Sequence, residues 1–296
     1  MRSDTERSDP LKGFLYSLGG TVLVSTNVIT AKYGLNGFNP ETFSVIWSGA
    51  AALYAFVIVI VTGHTHEIIL LPRNIGRIMG MGLAAGPSML LAWKGLALLD
   101  PSFQAFIWRF QPVLAIISGV FLLDEKLSVK ELFPITIMIF GGCLSTIGRW
   151  DVVGTGTVLT ILACVAVTVQ MVFAKPESAH THPNVLAFYR VLIATAVIAL
   201  WTFLMGKADF DVEVSYWLVT LLGAFLAPCA SFLFMFRAYV YWELSRASMV
   251  KTMQPVFVLP MAYVFFGSIP TGRILLGGLL ILAGAFWIGW IHLGSH

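Results

Sequence analysis

Arg109-Phe110-Gln111-Pro112-Val113-Leu114-Ala115-Ile116-Ile117 and Thr252-Met253-Gln254-Pro255-Val256-Phe257-Val258-Leu259-Pro260 share a Gln-Pro-Val tripeptide, 143 residues apart. Proline disfavours a helix interior because it lacks an N–H and its ring clashes with the carbonyl four residues back. Two such prolines, each preceded by an amide inside an apolar run, raise the question of an internal duplication. Sliding the chain by 143 without a gap also pairs Gly13 with Gly156, Ala31-Lys32 with Ala174-Lys175, and Pro40 with Pro183. Gly63 meets Gly206, Gly80 meets Gly223, Ser88 meets Ser231, Ser102 meets Ser245, and Gly141 meets Gly284. Conservative pairs share the register: Asn27 with Gln170, Lys94 with Arg237, and Asp100 with Glu243. A register kept from end to end divides the chain into two copies, residues 1–148 and 149–296.

The copies are too apolar for water. The 296 residues are 58% hydrophobic and 11% charged, where a soluble domain carries about 25% charged residues; mean hydropathy is +0.85. Apolar runs of about 20 residues mark membrane-spanning helices. Ten are readable, at 13–34, 41–62, 76–99, 101–123, 130–148, 155–174, 183–206, 215–242, 244–267 and 271–292. The runs are unbroken rather than alternating, which predicts helices and not a barrel. The fold class is therefore an all-α integral membrane protein of ten transmembrane helices in two five-helix repeats. Five is odd, so the second repeat enters from the opposite face, giving an inverted repeat. Lys and Arg favour the cytoplasmic side. With the N-terminus inside, nine of them fall in cytoplasmic segments and four outside, so both termini are expected in the cytoplasm.

The stretch Gln111–Gly148 is similar to the signature of the drug/metabolite transporter superfamily, in particular its EamA-type members. There a Pro-Val opens the fourth span, an acidic-basic-Leu triplet (here Glu125-Lys126-Leu127) closes it, and a Gly-rich fifth span follows. The second copy keeps Pro255-Val256 and Gly284 but carries Gly267-Ser268-Ile269-Pro270 in place of the triplet. The resemblance implies two inverted five-helix halves with a substrate cavity between them, lined by the first four spans of each. It implies that the fifth and tenth spans scaffold or dimerise, so a homodimer is among the expected states. A bacterial inner membrane is the implied location.

Five cations fall within spans: Lys94, Arg109, Arg190, Arg237 and Lys251. Ionisable residues at membrane depth are costly and are functional candidates by default. Lys94 and Arg237 lie six residues before Asp100 and Glu243, so each either pairs there or snorkels to the interface. Arg109, Arg190 and Lys251 lie deeper and are the candidate substrate-binding charges. Asn27 and Gln170, at matched positions in spans one and six, either bond between helices or face a central site. Trp47, Trp108 and Tyr189 are the aromatic candidates, with interfacial anchoring as the bland alternative.

No catalytic residue set is found, and an enzyme is not expected. Phosphate-loop and nucleic-acid motifs are absent from the sequence, and no cofactor is implied. The histidines of His64-Thr65-His66-Glu67 and His180-Thr181-His182-Pro183 read as solvated loop residues rather than metal ligands, and no metal is expected. The partners expected are a small-molecule substrate and the lipid bilayer, without nucleic acid. The function expected is secondary transport of a carboxylate- or phosphate-bearing metabolite by alternating access, through exchange or efflux. The competing reading is an exporter of amino acids or amphipathic drugs, including a proton-coupled one.

Overall fold

A computed structural model describes residues 10–68, 75–111, 114, 129–146, 154–177, 180–226, 230–231, 234, 238, 241, 250 and 253–293. Among the described residues there are ten α-helices and no strand. They are α1 (Pro10–Gly37), α2 (Pro40–Val61), α3 (Ile75–Leu98), α4 (Pro101–Ile107), α5 (Val129–Thr146), α6 (Thr155–Glu177), α7 (Pro183–Leu204), α8 (Val214–Phe225), α9 (Gln254–Phe266) and α10 (Gly272–Leu293). Their order follows the expected spans. Five segments are long and apolar enough to cross a membrane: Leu11–Gly37, Pro40–Val61, Ile75–Leu98, Thr155–Ala174 and Pro183–Leu204. The apolar segments Leu132–Gly141, Val214–Phe225, Gln254–Phe266 and Gly272–Gly284 are shorter.

The helix ends follow from sequence. Pro40, Pro101 and Pro183 stand in the first turns of α2, α4 and α7, where a missing N–H costs nothing. Asn39 caps α2 by accepting from the Thr42 N–H at 2.8 Å, and Asp100 caps α4 by accepting from Ser102 at 2.8 Å. His182, which the 143-residue register aligns with Asn39, caps α7 by accepting from the Asn184 N–H at 3.2 Å. After Ile107, α4 tightens into a 3-10 turn, Trp108–Phe110. This is the turn whose first carbonyl lies four residues before Pro112 in sequence; Pro112 and Val113 lie outside the described residues. Where the second copy departs from the charged triplet, Gly267 ends α9 in the left-handed region, φ 61°, with its N–H on the Tyr263 carbonyl at 2.8 Å. Ser268 then donates to the Asp100 carboxylate.

Two compact units divide the chain: Met1–Ile29 with Leu99–Thr157 and Leu226–His296, and Thr30–Leu98 with Val158–Phe225. Each unit draws on both copies of the repeat.

In the first unit, α5 and α10 lie side by side. A Cβ added at Gly141 would stand 2.6 Å from the Gly277 carbonyl oxygen, and one at Gly284 would stand 2.7 Å from the Pro134 carbonyl oxygen. Gly141 and Gly284 are repeat partners, and so are Pro134 and Gly277, so the two contacts are copies of one another. Because 141 meets 277 while 284 meets 134, the helices run antiparallel. Phe106, Ile135, Met138 and Ile281 pack beside the crossing.

In the second unit, α2 and α7 are the equivalent pair and are also antiparallel. Val59 packs on Val185 and Phe188, Ala51 and Ala52 on Val191, and Thr202 Oγ1 donates to the Glu41 carbonyl at 3.4 Å. Gly80 lies against Phe173, and its partner Gly223 against Thr30, the residue aligned with Phe173. Equivalent helices that run in opposite directions are the structural meaning of an inverted repeat.

The surface of α2 shows the solvent it meets. Leu53, Phe56, Val57 and Ile60 are exposed at helical spacing, whereas Thr42, Ser44 and Ser48 are buried on the inner face. Apolar outside and small-polar inside is the pattern of a helix in lipid.

Candidate functional site

Arg109 sits half-buried in the 3-10 turn after α4. Its Nη2 donates to Oε1 of Gln254 at 2.7 Å. Gln254 opens α9 and is 8% exposed. Its Nε2 donates to the Val24 carbonyl of α1 at 3.3 Å, and its own carbonyl accepts from Ser25 Oγ at 3.4 Å. The glutamine of the second Gln-Pro-Val therefore holds the cation just upstream of the first. Trp108 adjoins Arg109 and is half-buried, and Asn27 lies half-buried on α1, three residues beyond Val24. These residues belong to the first compact unit.

Arg190, Tyr189, Trp47 and Gln170 belong to the second unit. Arg190 is half-buried on α7, and among the described residues no carboxylate lies within ion-pair distance of it. Its neighbour Tyr189 donates its hydroxyl to the Ile68 carbonyl. Gln170 is buried on α6. Trp47 is 2% exposed and sits in an aromatic cluster, 5.4 Å from the Phe43 ring and 5.3 Å from the Trp93 ring. Lys251 lies outside the described residues.

One buried carboxylate is not legible from the sequence as a site group. Glu41, in the first turn of α2, is 3% exposed. Its Oε1 meets Lys94 Nζ at 3.0 Å and Lys207 Nζ at 3.1 Å. Lys94 thus pairs with Glu41 rather than with Asp100, which is occupied as a helix cap. On the same unit, Lys32 Nζ donates to the last carbonyls of α3, Leu96 at 2.8 Å and Ala97 at 3.0 Å, where a cation complements the helix dipole. Arg77 Nη1 meets Oε1 of the fully buried Glu177 at 3.0 Å. Breaking a buried ion pair by removing one partner costs about 3–5 kcal/mol. Glu41→Gln leaves Lys94 without its counter-charge while Lys207, which is 56% exposed, relaxes into water. Its expected cost is therefore near the lower end, about 3 kcal/mol, read as a lowered melting temperature in detergent.

At the other end of α2, the two histidine motifs meet. The His64 and His182 rings stack with centroids 3.6 Å apart, and Glu67 accepts the His182 backbone N–H at 2.9 Å. Burial holds the His182 imidazole below its ordinary pKa, the nearby His64 lowers it further, and Glu67 opposes both. A lowered imidazole pKa means the unfolded chain binds the proton more readily. The contribution is full above about pH 6.5 and is lost as pH falls through the lowered native value. Hydrogen exchange at the start of α7 is expected to accelerate between pH 7 and pH 5. His182→Asn, which supplies the cap that Asn39 supplies to α2, is expected to remove that dependence. Among the described residues, no group of three or more His, Cys, Asp or Glu stands close enough to hold a metal ion.

Comparison with known proteins agrees with this layout. The profile of the EamA-like transporter family matches residues 11–147 and again residues 154–290. Both boundaries of the second match are displaced by the same 143 residues as the Gln-Pro-Val copies. The chain belongs to the EamA-like transporter family. Its members are membrane transporters of the drug/metabolite superfamily, so the lipid-facing helices and the twofold repeat belong to a protein of the membrane that handles small molecules. A solved crystal structure of a protein 17% identical to this chain has the same fold, with TM-score 0.65 over 96% of this chain and 98% of that one. No curated protein matches the chain.

Proposed function

We propose that this EamA-like protein is a secondary transporter of small organic anions bearing a carboxylate or phosphate. It works by alternating access between the repeats 1–148 and 149–296, as exchange or downhill efflux. The observation that carries the reading is the contrast among its cations. Lys94 and Arg77 are met by carboxylates, whereas Arg190 has no carboxylate at hand among the described residues. A cation kept charged in a low-dielectric interior without a counter-ion is costly to maintain, and an anionic substrate is the partner that offsets the cost. Arg109, Arg190 and Lys251 supply the charge. Asn27 and Gln170 supply amides, and Trp108 supplies an aromatic face beside Arg109. Trp47 and Tyr189 are the further aromatic residues of the reading. Both termini face the cytoplasm of a bacterial inner membrane, and α5 with α10 forms the scaffold or dimer face.

A second reading, a proton-coupled exporter of amino acids, draws support from the buried carboxylates Glu41 and Glu177. Intramembrane acids are the usual proton relays. Both carboxylates, however, are engaged by cations. The test is counterflow in proteoliposomes with equal pH on both sides. Exchange of anions proceeds there without a gradient; net uphill uptake with an imposed pH gradient, and its absence without one, is what marks a proton-coupled exporter.

A further inference from the structure

The α2–α7 pair is fastened at both ends, and the 143-residue register makes the two fastenings copies of one another. At one end, Lys207 follows α7 and meets the start of α2. Its carbonyl accepts from Asn39 Nδ2 and Thr42 Oγ1, both at 3.0 Å, and its Nζ stands 3.1 Å from Glu41. At the other end the aligned residue, His64, follows α2 and meets the start of α7. Its ring stacks on His182, the residue aligned with Asn39, with centroids 3.6 Å apart. Asn184, aligned with Glu41, donates to Thr62 Oγ1 at 3.3 Å. The first fastening joins a carboxylate to lysines, groups that ordinarily stay charged near neutral pH. The second is built on two imidazoles, the side chain whose charge changes there.

Protonation undoes the second fastening in three ways. His182 caps α7 by accepting the Asn184 N–H at Nδ1; an imidazolium has two donors and no acceptor, so the cap is lost. The added charge stands at a helix N-terminus, the positive end of its dipole. When His64 is protonated as well, two cations face each other ring to ring, and His64 Nδ1 is buried with no hydrogen-bond partner among the described residues. Against these stands Glu67, whose Oε2 accepts the His182 backbone N–H at 2.9 Å and whose Oε1 is 3.8 Å from His66 Nε2. The His66 ring, 6.4 Å from that of His64, adds a further positive charge when protonated. His180 precedes His182 in the same loop, with its N–H on the Glu177 carbonyl. Arg77 and Glu177, near the ends of α3 and α6, are paired with each other, and the Tyr189 hydroxyl is bonded to the Ile68 carbonyl. Burial and His64 already hold the His182 imidazole below its ordinary pKa, so the fastened end favours the neutral ring and is weakened as pH falls.

We infer that the His64–His182 stack is a proton-operated clamp on the first turn of α7, closed while the imidazoles are neutral and released when they take up protons. Its repeat copy at Glu41 and Lys207 is a clamp without that response. The two stand at opposite ends of a pair of spans, hence at opposite faces of the membrane, so the device senses the pH of one compartment. Arg190 lies about two turns along α7 from His182, and release of the first turn reaches the helix that carries it. The inference holds whatever the charge of the substrate.

The test uses the full chain in detergent, with Cys143, Cys164 and Cys229 replaced by alanine. A cysteine placed at the fully buried Val185, in the first turn of α7, or at the fully buried Ser44, early in α2, reacts with a maleimide only when its helix start opens. The ratio of the two rates, Val185→Cys over Ser44→Cys, cancels the pH dependence of the reagent chemistry. Between about pH 7.5 and about pH 5 that ratio is expected to rise about fivefold or more, the effect of two unit charges about 4 Å apart in water. His182→Asn, which supplies the cap without a titratable ring, is expected to hold the ratio flat. His64→Gln, which leaves the cap titratable but removes the facing charge, is expected to keep only part of the rise. A ratio that does not change with pH in the otherwise unaltered chain overturns the inference, and so does one that rises undiminished in His182→Asn. An undiminished rise in His64→Gln also overturns it, because the cap alone would then respond and the stack would be packing.

Discussion

Gly141→Leu is expected to break the α5–α10 pair and to do more damage to the fold than any other single substitution considered. The Gly141 backbone approaches the Gly277 carbonyl so closely that an added Cβ would stand 2.6 Å from its oxygen. The obstacle is backbone, not the end of a flexible side chain, so relief requires the helices to separate. Overpacking a well-filled core costs about 1–3 kcal/mol, sometimes more. A leucine here also displaces Leu280 and Ile281, so a cost at or above the upper limit is expected. Gly284→Leu should cost about as much, because its contact with the Pro134 carbonyl is the repeat copy of the first. Gly272→Ala is the control, since nothing lies within 4 Å of a Cβ there. Melting temperature and monodispersity in detergent read the difference. Equal stability of Gly141→Leu and Gly272→Ala would mean that the helices do not cross at these glycines.

That pair of glycines also shows what the sequence makes visible. The 143-residue register alone places Gly141 with Gly284, Gly80 with Gly223 and Pro40 with Pro183. An odd number of spans per copy predicts antiparallel partners, and α5/α10 and α2/α7 are antiparallel. Span existence is legible because apolar length is a property of consecutive residues. Partners are not. Gln254 lies 145 residues from Arg109, and nothing local to Gln254 distinguishes it from Gln111. Glu41 follows a proline at a helix start and reads as interfacial. Its burial comes from Lys94 on α3, from Thr202 at the end of α7 and from Lys207 just beyond that helix, all remote in sequence. The two histidine motifs read as solvated loops for the same reason: their ring stacking is created by the antiparallel packing of α2 on α7.

Arg109→Gln and Arg190→Gln carry the second large effect, on transport rather than on stability. Truncating one member of a buried, hydrogen-bonded charge pair costs about 2–5 kcal/mol, which corresponds to a loss of about thirtyfold or more in affinity. For Arg109, the Gln254 amide retains a polar neighbour when glutamine replaces arginine, so the fold is expected to survive. For Arg190, no carboxylate among the described residues is left behind by the substitution, and removing an uncompensated charge from a helix in lipid costs the fold nothing. Each variant should therefore melt near wild type and fail to move anions. Glu41→Gln should show the reverse order of effects, with stability falling first. Variants of both arginines that transport anions normally would make the two residues structural.

The central claim is that the arginines at membrane depth serve an anionic substrate carried by exchange. Counterflow tests it most directly. Purified protein is placed in liposomes preloaded with a mixture of unlabelled organic acids and phosphorylated metabolites, with the pH equal on both sides. Labelled members of the mixture are then added outside. The account predicts transient accumulation of at least one labelled anion above its equilibrium level, and its loss in Arg109→Gln and Arg190→Gln. Accumulation that appears only when a proton gradient is imposed, or only for a cationic or zwitterionic solute, would contradict it.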